Sequence, residues 1–244
     1  MLVNEASQEI TQKGRMTTVR IPIHFGMTLL LVTFALGHQD PSSPKQSRDE
    51  VLARQVTMPA SETIQSAFTH LLVDAHVAGG IVASSSCQRD EEHDFGGAKT
   101  SLGNALDMIV SSQPENKWLI TGGVVNLIPA GDLPPLLNTP IPDFNVQDAR
   151  TVIEALDQLM ALPEVRDRIA QLHLEELSRH IGLSDLKRPG STAEDKPALN
   201  LNRRNVTLRG ALNAIASAHG YAVWAYTERH CNGRDQFRID FLVR

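Results

Sequence analysis

SLGNALDMIVSSQPENKWLITGGVVNLIP, residues 101–129, is answered 106 residues later by TLRGALNAIASAHGYAVWAY, residues 207–226. Ser101-Leu102, Ala105-Leu106, Ile109 and Trp118 recur as Thr207-Leu208, Ala211-Leu212, Ile215 and Trp224. Each copy opens on a hydroxyl residue suited to capping a helix, continues with apolar residues at helical spacing, and leads into a strand that carries the tryptophan. One supersecondary unit is used twice. The repeat fixes an architecture and supplies no reacting group.

Working outward, Val51–Met58 reads as a strand closed by Pro59. Ser61 then stands as an N-cap before Ile64, Ala67, Phe68, Leu71 and Leu72, which predicts a helix over 61–75 ended by Gly79-Gly80. Ile81-Val82-Ala83 is the strand it feeds, and the polar stretch Ser84–Asp94 is a loop. After the helix capped by Ser101, Lys117–Thr121 and Val124–Ile128 flank Gly122-Gly123, a two-residue hairpin signal. Pro134, Pro135, Pro140 and Pro142 make residues 131–143 an expected linker. Beyond it, Asp148–Leu162 and Glu164–Ile181 are expected helices parted by Pro163. Lys187–Lys196 is a loop, Leu199–Val206 a strand, Thr207–Ala218 the repeated helix, and Tyr221–Tyr226 with Phe237–Val243 the closing strands. The expected fold is α+β: two small related domains, 51–130 and 144–244, each packing helices on a small mixed sheet in β-α-β and β-α-β-β order. The second carries two extra N-terminal helices.

The N-terminal region reads as an address. Arg15 and Arg20 precede Ile21–Leu36, whose stretch Phe25–Leu36 is free of charge, and Ala35-Leu36-Gly37 offers small residues for signal-peptidase cleavage after Gly37. Residues 16–37 are the expected signal peptide, 38–50 an extended mature start, and 1–15, with Glu5 and Glu9, a start-site extension ahead of Met16. Retention of residues 21–36 as an inner-membrane anchor is the alternative, although they fall short of the ~20 apolar residues that span a bilayer. The expected location is periplasmic or secreted.

Beyond Gly37 the chain carries 20 Lys/Arg against 26 Asp/Glu, and no basic cluster is interleaved with aromatics. The footprint of a nucleic-acid binder is missing. In an oxidising compartment Cys87 and Cys231 are candidates for a disulfide joining one copy to the other.

At residues 51–130 the chain resembles the secretin and TonB short N-terminal domain, a small periplasmic module with paired β-α-β halves. Met58-Pro59-Ala60 and Ala67-Phe68 stand where the first half of that family has an apolar-Pro-Ala step and its helix contacts. Ser101-Leu102, Ala105-Leu106 and Val124–Pro129 match its second half, and residues 199–244 form a divergent, partial second copy. His76-Val77 and Pro114-Glu115 replace the Gly-Leu pair that usually closes each helix. The resemblance implies contact with other envelope proteins of secretin, receptor or sensor type.

Chemistry is sparse. There is no phosphate-cradling glycine loop, HExxH, GxSxG or CxxC, so no enzyme and no cofactor is expected. Cys87, His93, His230 and Cys231 are the alternative metal-ligand set, for a metal-dependent hydrolase, but they lack local ligand spacing. Trp118 and Trp224, with Tyr221 and Tyr226 beside the latter, are either core fillers or exposed anchors for a partner strand or peptide. A small-ligand or peptidoglycan-binding module is a further alternative if Trp224 and Tyr226 line a pocket between the units. The expected function is that of an exported, non-enzymatic interaction or adaptor module of the cell envelope.

Overall fold

The computed structural model describes residues 47–84, 87, 91–177 and 198–242. Residues 1–46, which include the expected extension and signal segment, the loop 187–196, the end of the expected helix at 178–181 and Val243 lie outside the described residues. The fold is α+β, with six helices and twelve strands among the described residues. No described helix is long and apolar enough to cross a membrane.

The first copy begins with α1 (Arg48–Leu52) and β1 (Gln55–Thr57), so only the end of the expected strand 51–58 is extended. β2 (Ser61–Thr63) pairs with β4 (Glu92–Asp94), which places Ser61 in a strand and a further strand inside the expected loop 84–94. The helix α2 (Ile64–Asp74) is capped instead by Thr63, whose side chain accepts from the Ser66 N–H. It ends at Ala75 and at His76 in the left-handed region, φ 54°, and Gly79-Gly80 belong to the following strand β3 (Gly79–Ser84). β5 (Lys99–Ser101) pairs with β1 and leads into α3 (Leu102–Ser112), capped by Ser101 as expected. β6 (Asn116–Thr121) and β7 (Val124–Pro129) form the expected hairpin, with Gly122 and Gly123 both at positive φ as its tight turn requires.

Residues 131–143 do not form a free linker. Leu136, Leu137 and Thr139 are buried, and β8 (Pro140–Ala149) starts at the third of the four prolines. Pro140 and Pro142 are tolerated because β8 has a single described neighbour, the antiparallel β10 (Leu199–Thr207), and an edge strand can spare N–H groups. A register shift opposite Leu199 and Leu201, with Asp148 at φ 51°, ends β8, so the helix expected from Asp148 starts at α4 (Val152–Met160), capped by Thr151. α5 (Pro163–Gln171) takes Pro163 at its first turn, where a missing N–H costs nothing. Then follow β9 (Glu175–Glu176), α6 (Leu208–His219) capped by Thr207, β11 (Val223–Cys231) and β12 (Arg234–Leu242).

The two copies share one sheet. Its order is β6-β7-β3-β11-β12-β9, with β3 parallel to both β7 and β11. Each half holds a hairpin followed by a strand parallel to the hairpin's second member, since β9 lies parallel to β12 as β3 does to β7. The second copy therefore begins at β8, not at residue 199: β8, α4 and β9 answer to β1, α2 and β3. The insertion of α5 hides this in the sequence.

β6 runs antiparallel to β7, and hence to β11. The two helix-hairpin units are therefore flipped relative to one another, and their helices cover opposite faces of the sheet. Ile81, Val125, Val223 and Ala225 pack with α2 and α3, whereas Val82, Val124, Trp224 and Tyr226 pack with α4 and α6. Burial on both faces explains why Ile81-Val82-Ala83 is a continuous apolar run and why Val124–Ile128 is apolar but for Asn126, which is buried and donates to the Val124 carbonyl at 2.8 Å.

Candidate functional site

The two tryptophans make the same local bond in different surroundings. Trp224 on β11 donates its Nε1–H to Asn213 Oδ1 on α6 at 2.8 Å, and Trp118 on β6 donates to Asp107 Oδ1 on α3 at 2.8 Å. Asp107 and Asn213 are themselves 106 residues apart, so the repeat includes a polar helix residue that receives the indole. Neither identity nor apolar character marks this position in the sequence, where an aspartate answers to an asparagine.

Trp224 is completely buried, as is Tyr226, and both belong to the core between the sheet and α4/α6. They are not surface anchors. Central strands flanked on both sides leave no exposed ring, and this overturns their reading as partner-binding residues. Tyr221 is half-buried, its ring 4.7 Å from that of His219 and 5.9 Å from that of His76. Trp118 alone stands at a sheet edge. It is half-buried, and the guanidinium of Arg48 lies 5.9 Å from its ring centroid.

What encloses Trp224 is strand β3. Trp224 is in register with Gly80, and a Cβ on Gly80 would lie 2.1 Å from Trp224 Cε2 and 2.4 Å from its Nε1. The indole overhangs the neighbouring strand and needs a glycine there. At β6 the corresponding lane, on the side away from β7, holds no strand among the described residues.

The second hairpin is longer than the first, with nine residues in each strand against six, and its outer part carries the other candidate residues. Cys231, at the end of β11, is disulfide-bonded to Cys87 with Cα atoms 5.7 Å apart. On the same strand, the Tyr226 hydroxyl donates to Glu228, His230 Nε2 lies 3.1 Å from Glu228 Oε1, and His230 Nδ1 lies 2.8 Å from Asp235 Oδ1. Positions 226, 228 and 230 share a face because strand side chains alternate. The hydrogen bond to Asp235 raises the His230 pKa above its ordinary value; loss of solvation opposes it, and the Glu228 charge adds to the rise. Burial, and then the bond to Glu228, raises that of Tyr226, so its phenol stays protonated. The arrangement holds the His230 ring between two carboxylates at the hairpin tip.

The proposed ligand set Cys87, His93, His230 and Cys231 is not assembled. Both sulfurs are consumed by the disulfide and are not thiolates. His93 sits on β4 opposite Glu62, its ring beside Phe95. Among the described residues no group of three or more His, Cys, Asp or Glu side chains is placed to hold a metal. A shallow groove of about 540 Å³ runs between residues 133–140 and α5, lined by Leu133, Pro135, Asn138 and, across it, Glu164, Asp167 and Arg168. No protein-family model, curated protein or solved structure matches this chain.

Proposed function

We propose that this protein is an exported, non-enzymatic interaction module of the cell envelope, and that it receives a partner strand at the open edge β6. The observation that carries the reading is the contrast between equivalent strands. β11 is covered by β3 along six residue pairs, whereas among the described residues β6 ends the sheet, with Trp118, Leu119 and Ile120 half-buried. An edge strand offers unpaired backbone groups to an extended segment, and alternate side chains then select it. β6 has few of the features that guard an edge: its one charge is Lys117, it contains no proline, and it pairs with β7 without a bulge.

The apolar segment before Gly37, the Cys87–Cys231 disulfide and the resemblance to the short N-terminal domain support the periplasmic or secreted setting. The resemblance also points to a partner of secretin, receptor or sensor type.

The test is site-specific photo-crosslinking in intact cells, with p-benzoylphenylalanine in place of exposed Lys117 on β6 and, as control, of exposed Arg204 on β10. A single envelope protein crosslinked from position 117 and not from 204 is the expected result. The same products from both positions, or none from 117, would overturn the reading.

A further inference from the structure

We infer that the β6 edge is selective for an extended partner segment that runs parallel to β6 and places a glycine beside Trp118, next to aliphatic residues. The inference rests on the reading of β6 as a receiving edge, and the chain supplies the precedent for it. β11 and β6 are equivalent strands, each preceded by a helix that holds the tryptophan through its Nε1–H at 2.8 Å. At β11 that tethered ring reaches across the adjacent lane, and the strand lying there passes beneath it as Gly79-Gly80-Ile81-Val82. Any side chain in place of Gly80 collides with Cε2, Cζ2 and Nε1 of the indole. The same tether fixes the Trp118 ring, so a strand entering the lane beside β6 meets the same steric demand. Specificity then follows from exclusion: a segment with a β-branched residue at that point is rejected by overlap, not by the loss of an attraction.

Among the described residues, the sheet's other edge does not meet this demand. β9, the counterpart of β3 in the second copy, spans only Glu175 and Glu176 and contains no glycine. Head-to-tail addition of a second copy is thereby disfavoured, and the occupant is a strand of another protein with glycine followed by aliphatic residues.

The probe is a capped peptide with the sequence of residues 78–84, AGGIVAS, titrated into the 15N-labelled full chain. The expected result is saturable movement of the Trp118 indole N–H and of the amides of Asn116–Thr121. The peptide carrying Gly80→Val should bind at least about tenfold more weakly, as expected for a buried overlap. In a Trp118→Ala protein the two peptides should bind alike. Equal binding of both peptides to the unaltered protein, or movement confined to residues remote from β6, would overturn the inference. So would β6 shifts that grow with protein concentration in the absence of peptide, since these place a second copy on the edge. If position 117 still crosslinks to one envelope protein while the peptides are not distinguished, the receiving edge stands and only the glycine requirement falls.

Discussion

Replacing Gly80 by alanine adds one methyl group at the most confined point of the sheet. The new Cβ would lie 2.1, 2.3 and 2.4 Å from Cε2, Cζ2 and Nε1 of Trp224, where nonbonded carbons settle at about 3.5–4.0 Å. The indole must retreat by more than about 1 Å, yet it has no exposed surface and is held by Asn213. Overpacking of this kind costs about 1–3 kcal/mol. Stretching the buried bond to Asn213 adds about 1 kcal/mol, and the reduced freedom of the unfolded chain returns about 0.4–1 kcal/mol. The net expectation is a loss of about 1–3.5 kcal/mol, which for a chain of this length lowers Tm by about 2–14 °C. Urea unfolding followed by tryptophan fluorescence measures it. Gly131→Ala, where a Cβ meets nothing within 4 Å, is the control and should be neutral. A Gly80→Ala protein within about 0.5 kcal/mol of the parent would refute the claim that the glycine is there to admit the ring.

Three further outcomes are expected. The Cys87–Cys231 disulfide closes a separation of 144 residues, so its reduction, or the Cys87→Ser/Cys231→Ser pair, should cost about 3–5 kcal/mol in the loop-entropy account; coincident urea midpoints for the oxidised and reduced forms would contradict this. His230 should titrate above 6.5 by NMR because Asp235 and Glu228 favour its charged form. A raised folded-state pKa stabilises the fold fully below about pH 6.5 and loses that contribution as the pH rises through the folded value, so Asp235→Asn should lower the midpoint and flatten the dependence; an unmoved midpoint would exclude Asp235 as the cause. Asn213→Ala strands a buried indole N–H and should cost about 1–3 kcal/mol, whereas the equivalent Asp107→Ala at the half-buried Trp118 should cost less than about 1 kcal/mol, and equal losses in denaturant titrations would show that the two sites are not distinguished by burial.

The elements legible in the sequence are those whose causes are local. Ser101 and Thr207 cap their helices where the hydroxyl-then-apolar pattern places them, and Gly122-Gly123 turns the first hairpin because both residues must adopt positive φ. The sequence misleads where a local signal has a distant cause. Gly79-Gly80 reads as a helix stop, and the helix stops earlier, at His76; Gly80 serves a ring 144 residues further along the chain, and Gly79 leaves room for Leu72. The prolines of 131–143 read as a linker, but two of them lie in an edge strand whose partner begins at Leu199.

By itself the sequence determined the repeat, its two helices with their caps Ser101 and Thr207, and the α+β class, because capping, periodicity and turn chemistry act within a few residues. The tertiary structure alone decided that both copies join in one sheet with their helices on opposite faces, that Cys87 meets Cys231, and that two tryptophans with the same local bond differ in fate. Trp224 is core and Trp118 is edge because β3 can lie beside only one of β11 and β6, and that choice rests on strand pairing between distant segments, which no local pattern encodes.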